Sequence, residues 1–540
     1  MKEKRPPKQS WWNEQLARLG WTSSAPTSPS VVDVILILEG TYPFVLGGVS
    51  NWVHGIISGM PDISFGLIFL GAKYEHREMK YSLPSNVHFL SEIDIYEYVP
   101  HDTPVIGKFK HRDRNEALKA VETLCFDLQD GHMASFDRVF NSLSARTLTM
   151  GDLAYSHLGW TLLNAIYQNK ANKVSFVDFF WTWHYAYLPI LNLFFADIPP
   201  ARLYHTICTG WAGCLGVIAQ KRYNVPLLLT EHGIYLNERR VEISQIEWMN
   251  DDNENDCFTF NSGKNYFKEM WNNLFNAMTK LCYDRCNGIY TLCHRNRCLQ
   301  IDFGAPENLI QIIPNGADVK TLIEKTLSDD QQTSNGETAK QFRIGFIGRI
   351  VSIKDVKTFI RACRKVVDEL PDAEILLMGP TDEEEMYFNE CQHLVKLLHL
   401  GDKLKFLGSV NVHEYYPTLD VQVLTSISEG QPLVILEGYC YGIPVVVTSV
   451  GACQEMVEGT DPEDRALGPS GIITRIGNPE ETADAILKIL RDSDLRRQMS
   501  ESAIKRVRHF YDYHQMISRY RDIYESHRKK PCRGECPWPE

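Results

Sequence analysis

The chain has 540 residues, 44% of them hydrophobic and 23% charged, and a formal net charge of −12 at pH 7. One hydrophobic core stops growing at about 250–300 residues, so this length predicts two or more domains. The acidic balance argues against a general binder of nucleic acids or lipid headgroups. Because no run reaches the roughly 18 apolar residues that span a bilayer and no signal-peptide core is evident, we expect a cytoplasmic protein whose partners are small molecules or proteins.

The first domain is predicted over residues 31–327, after an N-terminal arm at 1–30 in which Pro, Ser and Thr dominate the second half. It opens with a nearly continuous apolar run at 31–38, which predicts a strand buried on both faces of a parallel sheet. A glycine-rich turn with Gly47 and Gly48 follows, and then apolar residues at helical spacing. Free N–H groups at such a helix start can bind a diphosphate, but glycines that only serve a tight turn explain the same pattern.

The middle of this domain combines a helical insertion with histidine-containing segments. Apolar spacing over about 112–172 predicts helices, and we expect acceptor specificity to reside there. An aromatic-rich run then contains His184, for which packing is one interpretation. Two later apolar strands end at His205 and His232, beside glycine-containing turns. Ligands bind outside the carboxyl ends of strands in open α/β sheets, so both histidines are candidates for ligand contact.

Four of the fourteen cysteines lie close together in sequence. They are Cys282, Cys286, Cys293 and Cys298. A zinc site is one interpretation, but the spacing is not that of a zinc knuckle and we favour buried free thiols.

The second domain is predicted over residues 342–505, after a polar linker at 328–341. Its first strand ends at Gly348, and Arg349 and Lys354 flank the loop that follows. A guanidinium fork and a compact ammonium charge are two common ways to hold phosphate oxygens, whereas surface salt bridges are the alternative.

A later strand of this domain leads into a loop and a short helix that contain two carboxylates. Glu429 lies just before the helix and Glu437 about two turns inside it, with Pro432 at the helix start. Two carboxylates so placed can hold separate parts of one elongated ligand, although an exposed Glu and a helix-face Glu remain the alternative.

The chain ends in helices from Pro479 to about Tyr524, with breaks predicted near Asp492 and Asp512. We predict that the last helix, within 506–528, crosses back to the first domain. A tail at 529–540, with Cys532 and Cys536, has no assigned role.

Taken in order, these motifs resemble the retaining family-4 glycosyltransferases of GT-B fold, in which two Rossmann-like, doubly wound α/β domains face a cleft. The resemblance rests on Gly47-Gly48, His232, Arg349 with Lys354, and Glu429 through Glu437. Three segments, from Glu39 to His54, from Thr230 to Tyr235 and from Ser428 to Pro432, have sequences similar to the PelF branch. That branch is associated with UDP-glucose and with synthesis of the Pel exopolysaccharide.

The resemblance implies a site for a nucleotide-sugar donor. The diphosphate would contact Gly47, Gly48, Arg349 and Lys354. The donor sugar and ribose would contact the segment from Glu429 through Gly430, Gln431, Pro432 and Leu433 to Glu437, with Glu429 at the sugar hydroxyls and Glu437 at the ribose. His232 and Glu429 would be catalytic, and His184 and His205 would lie on the acceptor side.

The resemblance also implies a glycan acceptor, UDP-sugar as substrate, no cofactor and no metal, because Arg, Lys and backbone N–H groups can stabilise the leaving diphosphate. Membrane polysaccharide-synthase subunits are further candidate partners, which would place the chain against the inner face of a membrane. Alternatives within the fold are a phosphorylase and a nucleotide-sugar epimerase. A different alternative is a nucleotide-sugar-binding subunit of a membrane synthase.

Overall fold

The computed structural model describes residues 31–72, 77–96, 111–246, 266–319 and 341–528. The predicted arm, the tail and all but the last residue of the predicted linker lie outside these ranges. Within them the chain forms two parallel sheets, one in each half. The predicted α/β class with two Rossmann-like domains is therefore confirmed.

The first sheet has seven strands in the order β3-β2-β1-β4-β5-β6-β7. All six neighbouring pairs are parallel, and the strand order reverses between β1 and β4, where the crevice for a ligand opens. The apolar runs are buried because helices cover both faces. The strands are β1 (Val32–Glu39), β2 (Phe65–Gly71), β3 (Val87–Asp94), β4 (Ala201–Thr206), β5 (Leu227–Glu231), β6 (Gly288–Thr291) and β7 (Ile310–Ile312).

The predicted helical insertion is present, and helices continue through the aromatic-rich run. The helices of the first domain are α1 (Gly48–Ser58), α2 (His111–Gln129), α3 (Phe136–Ser144), α4 (Met150–Tyr155), α5 (His157–Ile166), α6 (Phe176–Phe195), α7 (Trp211–Tyr223), α8 (Tyr235–Gln245), α9 (Tyr266–Arg285) and α10 (His294–Asp302). A π-helical turn at Tyr167–Ala171 follows α5. The insertion shares one hydrophobic core with β1 and β4.

The second sheet has six strands in the order β10-β9-β8-β11-β12-β13, and its strand order reverses between β8 and β11. Its strands are β8 (Arg343–Ile347), β9 (Glu374–Met378), β10 (Leu404–Gly408), β11 (Val421–Leu424), β12 (Val445–Thr448) and β13 (Gly471–Thr474). Its helices are α11 (Val356–Glu369), α12 (Glu385–Leu397), α13 (Leu433–Cys440), α14 (Cys453–Glu458), α15 (Pro462–Arg465), α16 (Pro479–Arg491) and α17 (Ser493–Phe510).

The last helix, α18 (Tyr513–Arg528), packs on the first domain. Arg521 pairs with Asp62, and the Tyr513 hydroxyl donates to the Gly55 carbonyl at 2.7 Å. The crossing begins at Tyr513 rather than at residue 506 as predicted. The reason is that α17 stays in the second domain, where the Arg506 guanidinium is fully buried against Asp464 at 2.6 Å.

Two chain segments that connect the domains touch each other. Ala317 forms a parallel bridge with Asp512, in which the Ala317 N–H donates to the Tyr511 carbonyl and the Tyr513 N–H donates to the Ala317 carbonyl. The end of the described part of the first half and the start of the crossing helix therefore lie side by side.

The cysteine group is not assembled into a ligand set. Cys282 and Cys286 lie 3.8 Å apart at sulfur and are buried with Cys293, whereas Cys298 is exposed. In the described ranges, no cluster of three or more His, Cys, Asp or Glu side chains has the geometry to bind a metal ion. No helix in the same ranges has both the length and the hydrophobicity to cross a bilayer.

Candidate active site

The segment with the two predicted carboxylates follows β11 at the carboxyl edge of the second sheet. Helix α13 begins at Leu433 with Pro432 as its N-cap, and Gly442 follows its end with a φ of 68°. This left-handed conformation suits glycine after a helix. Glu437 lies just over one turn inside the helix, not two as predicted, because the residues between Glu429 and Pro432 form a loop.

Glu429 belongs to a compact polar cluster at the end of this loop. One of its carboxylate oxygens lies 2.5 Å from Lys354 Nζ and accepts a hydrogen bond from Ser426 Oγ at 2.6 Å. The Lys354 and Glu429 side chains are only 16% and 10% exposed. The structure thus brings together two predicted site residues from separate segments, and Lys354 carries the positive charge of this cluster.

Arg349 follows β8 on the same side of the sheet but is not a member of this cluster. Its guanidinium donates to Glu383 at 2.6 Å, and both side chains are about half exposed. An ion pair this exposed is worth little, about 0–1 kcal/mol. Arg349 can therefore exchange Glu383 for a phosphate at small cost, and its contact with a donor stays a prediction.

Glu437 lines a cavity of about 260 Å³ between the domains. The Tyr416 hydroxyl donates to one oxygen of this carboxylate at 2.9 Å. Both domains and the crossing helix contribute to the walls, which consist of Asn51, Trp52, Asn315, Gly316, Ala317, Asp318, His413, Leu433, Glu437, Tyr513 and Met516. A ligand here would contact both halves of the chain.

The Gly47-Gly48 turn lies at the edge of this cavity. Helix α1 begins at Gly48 with Gly47 as its N-cap, which has no side chain to satisfy the first N–H groups. A Cβ added at Gly48 would lie 3.9 Å from Leu433 Cδ1 of the second domain, and one at Gly47 would meet nothing within 4 Å. The start of this helix is therefore open enough to receive an anion through its N–H groups and dipole.

His232 directly follows β5 and is in contact with Trp52, which lines the cavity. Its carbonyl oxygen accepts a hydrogen bond from Asn296 at 3.2 Å and lies where the loop of Gly430 approaches the first domain. The Trp52 ring packs edge-on to the imidazole with centroids 4.7 Å apart. Burial lowers the pKa of His232 to about 4, so the imidazole is neutral near pH 7.

Several buried polar atoms around this site have no hydrogen-bond partner in the part of the chain that the structure describes. They are both ring nitrogens of His232, Trp52 Nε1, Asn315 Oδ1 and Gln431 Nε2. Gln431 and Asn315 also join the two domains, because the Asn315 N–H donates to Gln431 Oε1 at 2.6 Å. Buried polar groups in native proteins are normally paired, so a cluster of unpaired ones indicates a polar ligand.

The two histidines predicted on the acceptor side do not line the cavity. His205 is fully buried, with its ring nitrogens 2.8 Å from the Tyr524 hydroxyl and 2.9 Å from Thr230 Oγ1. Burial, and then the neighbouring His232, lowers its pKa to about 3. It joins α18 to the sheet behind Trp52. His184 lies on α6, with its Nδ1 2.8 Å from the Phe180 carbonyl.

Sequence reasoning missed several residues of the site. Trp52 belongs to the apolar helical pattern after Gly48, which does not mark a site residue, and Asn315 precedes Gly316 in a pair typical of a turn. Ser426 had a usable signal, because a serine three residues before Glu429 can reach back to it. Tyr416 had none, since its contact with Glu437 joins segments that are 21 residues apart.

Two family models match the chain. One, described as a domain of unknown function (DUF3492), matches residues 32–308, just over half of the chain. The chain belongs to the DUF3492 family. The second model, described as glycosyl transferases group 1, matches residues 328–506, so this DUF3492 protein carries a group 1 glycosyltransferase domain in its second half.

Curated relatives of this DUF3492 protein include N-acetyl-alpha-D-glucosaminyl L-malate synthase of Bacillus anthracis, 29% identical over 220 residues, or 41% of this chain and 54% of the relative. D-inositol 3-phosphate glycosyltransferase of Corynebacterium jeikeium is 30% identical over 205 residues, or 36% of this chain and 46% of the relative. The chain therefore spans about half the length of these relatives.

Two solved structures resemble nearly the whole chain. Alr3699/HepE of Anabaena, solved with UDP and glucose, has a TM-score of 0.54 and 15% identity and covers 92% of this chain and 100% of its own. Sucrose-phosphate synthase of Thermosynechococcus elongatus has a TM-score of 0.54 and 15% identity, with 91% and 98% covered. At such identities the likeness shows the fold, and the predicted GT-B architecture of this DUF3492 protein is confirmed.

Proposed function

We propose that the protein transfers a hexosyl unit, with glucose from UDP-glucose as the first candidate, to a glycan acceptor. The observation that supports this most strongly is that Glu437 and Trp52, from different domains, line one cavity, while Trp52 packs on the unpaired His232 imidazole. The loop with Glu429, which pairs with Lys354, contacts the His232 backbone at Gly430. The HepE structure solved with UDP-glucose has the same fold and favours this donor.

In this proposal the nucleotide sugar lies along the start of α13. Its ribose contacts the Glu437 carboxylate in the interdomain cavity. Its diphosphate lies between the Gly47-Gly48 helix start and Lys354, with Arg349 released from Glu383. Its hexose contacts Glu429 and Gly430, which lie beside the backbone of His232.

The chemistry that this placement supports is substitution at the anomeric carbon. The carbon exchanges its bond to the diphosphate oxygen for a bond to an acceptor hydroxyl oxygen, negative charge builds up on the diphosphate as it leaves, and the acceptor hydroxyl proton passes to that diphosphate. The Lys354 ammonium and the N–H groups of α1 stabilise that charge, a task that requires no metal ion. A neutral His232 can hydrogen-bond the hexose without adding a charge, and we propose that the configuration of the anomeric carbon is retained.

The donor is tested by incubating the protein with UDP-, GDP- and ADP-sugars and following thermal stabilisation and nucleotide release, with and without oligosaccharide acceptors. We expect UDP-glucose to raise the Tm and to release UDP faster when an acceptor is present. No response to any donor would refute the proposal. Phosphate-dependent glycan cleavage would instead identify a phosphorylase, and formation of an epimer without acceptor would identify an epimerase.

Lys354→Ala tests the diphosphate contact, and Lys357→Ala is its matched control. Lys357 lies three residues further along and pairs with Glu390 on the surface. A charge-assisted hydrogen bond contributes about 1.5–3 kcal/mol, so we expect donor KM to rise about 10- to 100-fold in the first variant. The control should stay within about twofold. Equal effects of both substitutions would contradict the assignment.

We further propose, from the motifs similar to the PelF branch, a role in exopolysaccharide synthesis beside a membrane synthase. Purification of the tagged protein from its native cells with membranes solubilised in mild detergent tests this role. Co-purification of membrane polysaccharide-synthase subunits supports it. Recovery of the protein without them, from cells that make the polymer, opposes it.

A further inference from the structure

Helix α6 exposes a stripe of large side chains on the surface of the first domain. Val177, Trp181 and Tyr185 are spaced four residues apart, which places them on one side of the helix, and they are 61%, 54% and 53% exposed. The helix contains one acidic residue, Asp178, and no lysine or arginine. Exposed aromatic residues that are grouped rather than scattered indicate a binding surface.

The rings in this stripe form a continuous surface. Trp181 and Tyr185 are stacked with centroids 6.4 Å apart, and Tyr96 packs edge-on to Tyr185 at 5.8 Å. We call Trp181, Tyr185 and Tyr96 the aromatic face. Phe180 supports it from below, with its ring 5.2 Å from that of Trp181.

The aromatic face lies on the cleft side of the first sheet. Tyr96 follows β3, whose last residue Asp94 is at the carboxyl edge. Asn192, near the end of α6, donates to the carbonyls of Asp94 and Ile95 at 3.5 and 3.4 Å. A helix that precedes a parallel strand runs from the carboxyl edge to the amino edge, so the first half of α6 extends outward from the carboxyl edge.

The aromatic face and the candidate active site lie along one edge of the first sheet. Glu39 of β1 and Ile93 of β3 both pair with Leu70 of β2, so Glu39 lies at the same edge as Tyr96, which follows β3. Glu39 ends β1 and accepts a hydrogen bond from the Tyr235 hydroxyl at 2.9 Å. Tyr235 begins α8, three residues after His232. Because β3, β1 and β5 all end at the carboxyl edge, a glycan whose end lies at His232 would run along this edge, above the buried Tyr235, to reach Tyr96 and α6.

We infer that the aromatic face binds the acceptor glycan several sugars away from the end that reacts. This inference rests on the proposed function. The C–H groups on the face of a sugar ring are weakly positive and pack against the negative face of an aromatic ring, while the Tyr hydroxyl and the indole N–H can pair with sugar hydroxyls. A lipid surface is less suitable, because interfacial helices combine apolar residues with Lys and Arg, which α6 lacks.

The test compares long and short acceptors in the variant Trp181→Ala/Tyr185→Ala. Met386→Ala on α12 is the control, because it also removes an exposed apolar side chain, one that is 81% exposed in the other domain. Binding of maltohexaose, cellohexaose and N-acetylchitohexaose is measured by calorimetry, and UDP-glucose turnover is measured with hexasaccharide and monosaccharide acceptors.

We expect the wild-type protein to bind at least one hexasaccharide, and its Kd to rise about tenfold in the double variant, equivalent to roughly 1.4 kcal/mol. KM for UDP-glucose and for a monosaccharide acceptor should change less than about twofold, since neither reaches the aromatic face. The control should match the wild-type protein in every assay.

Three results would overturn the inference. They are no hexasaccharide binding to the wild-type protein, an unchanged Kd in the double variant, and loss in that variant of binding to phosphatidylglycerol vesicles with sugar binding unaltered. The last result would identify α6 as a membrane contact. Failure of UDP-glucose to bind to any variant or to the wild-type protein would instead refute the proposed donor, so the two failures are distinguishable.

Discussion

Replacing Gly430 with alanine is expected to lower turnover about a hundredfold, because the new methyl group has no room between the two domains. A Cβ at this position would lie 2.2 Å from the His232 carbonyl oxygen and 3.0 Å from its carbonyl carbon. Non-bonded carbon and oxygen atoms require about 3.3 Å or more, so the two backbones must separate by roughly 1 Å. Neither neighbour is the end of a flexible side chain that could rotate away.

The displacement acts on both walls of the site at once. It moves the loop with Glu429 away from the segment that carries the His232 imidazole. A misplacement of about 1 Å lowers a reaction rate on the order of 10²-fold. Overpacking lowers the free energy of unfolding by about 1–3 kcal/mol, which is less than the roughly 5–15 kcal/mol by which a native protein is stable. We therefore expect a folded variant with a kcat reduced about a hundredfold and a smaller change in donor Kd.

Steady-state UDP release gives kcat, calorimetry gives the Kd for UDP, and circular dichroism gives the Tm. Gly401→Ala is the control, since a Cβ there would meet nothing within 4 Å. A Gly430→Ala variant with kcat within about threefold of the wild-type value would refute the reasoning, because it would show that the active form does not hold these backbones in contact.

Three further substitutions test other parts of the structure. Glu437→Gln keeps an acceptor for the Tyr416 hydroxyl but removes the charge, so donor KM should rise about tenfold with an unchanged Tm; an unaltered KM would exclude the ribose contact. His205 titrates near pH 6.5 when unfolded and near pH 3 when folded, so the stability that its neutral ring contributes is complete above pH 6.5 and falls as the pH decreases. In urea unfolding, we expect His205→Gln to have a lower free energy of unfolding than the wild-type protein at pH 7.5, and this difference should shrink by about 2 kcal/mol when the pH is lowered to about 5. A difference that does not vary with pH would contradict this account. Glu455→Ala removes the carboxylate that accepts from the His294 and Arg295 N–H groups at 3.0 Å, so the Tm should fall by the equivalent of about 1 kcal/mol, whereas Glu458→Ala should leave it unchanged.

The two sheets were predictable because parallel strands buried on both faces leave continuous apolar runs in the sequence. Val32 to Leu38 is such a run, and its glycine turn and following helix appear where the pattern placed them. The break between α17 and α18 lies at residues 511–512, near Asp512 as predicted, but the residue at which the chain leaves the second domain was not predictable. What holds Arg506 in the second domain is a buried partner, Asp464, 42 residues away, and no local pattern reports such a contact.

The candidate site was predictable in its parts and less so in its connections. The sequence predicts Lys354 and Glu429 as site residues independently, because each lies in a loop that follows a strand. The structure shows that the two side chains pair. Arg349 was chosen on the same grounds, yet its side chain pairs with Glu383. The sequence shows which charges follow strands but not how each side chain turns within its loop. Trp52 was missed because one apolar residue on a buried helix face looks like any other.

The contact between the two connecting segments has a mechanical consequence. Ala317 is hydrogen-bonded to the peptides on either side of Asp512, so the two segments are held together as a short ladder. Sliding of one segment past the other would break both hydrogen bonds. This ladder therefore fixes the register of the two segments relative to each other at the place where they meet.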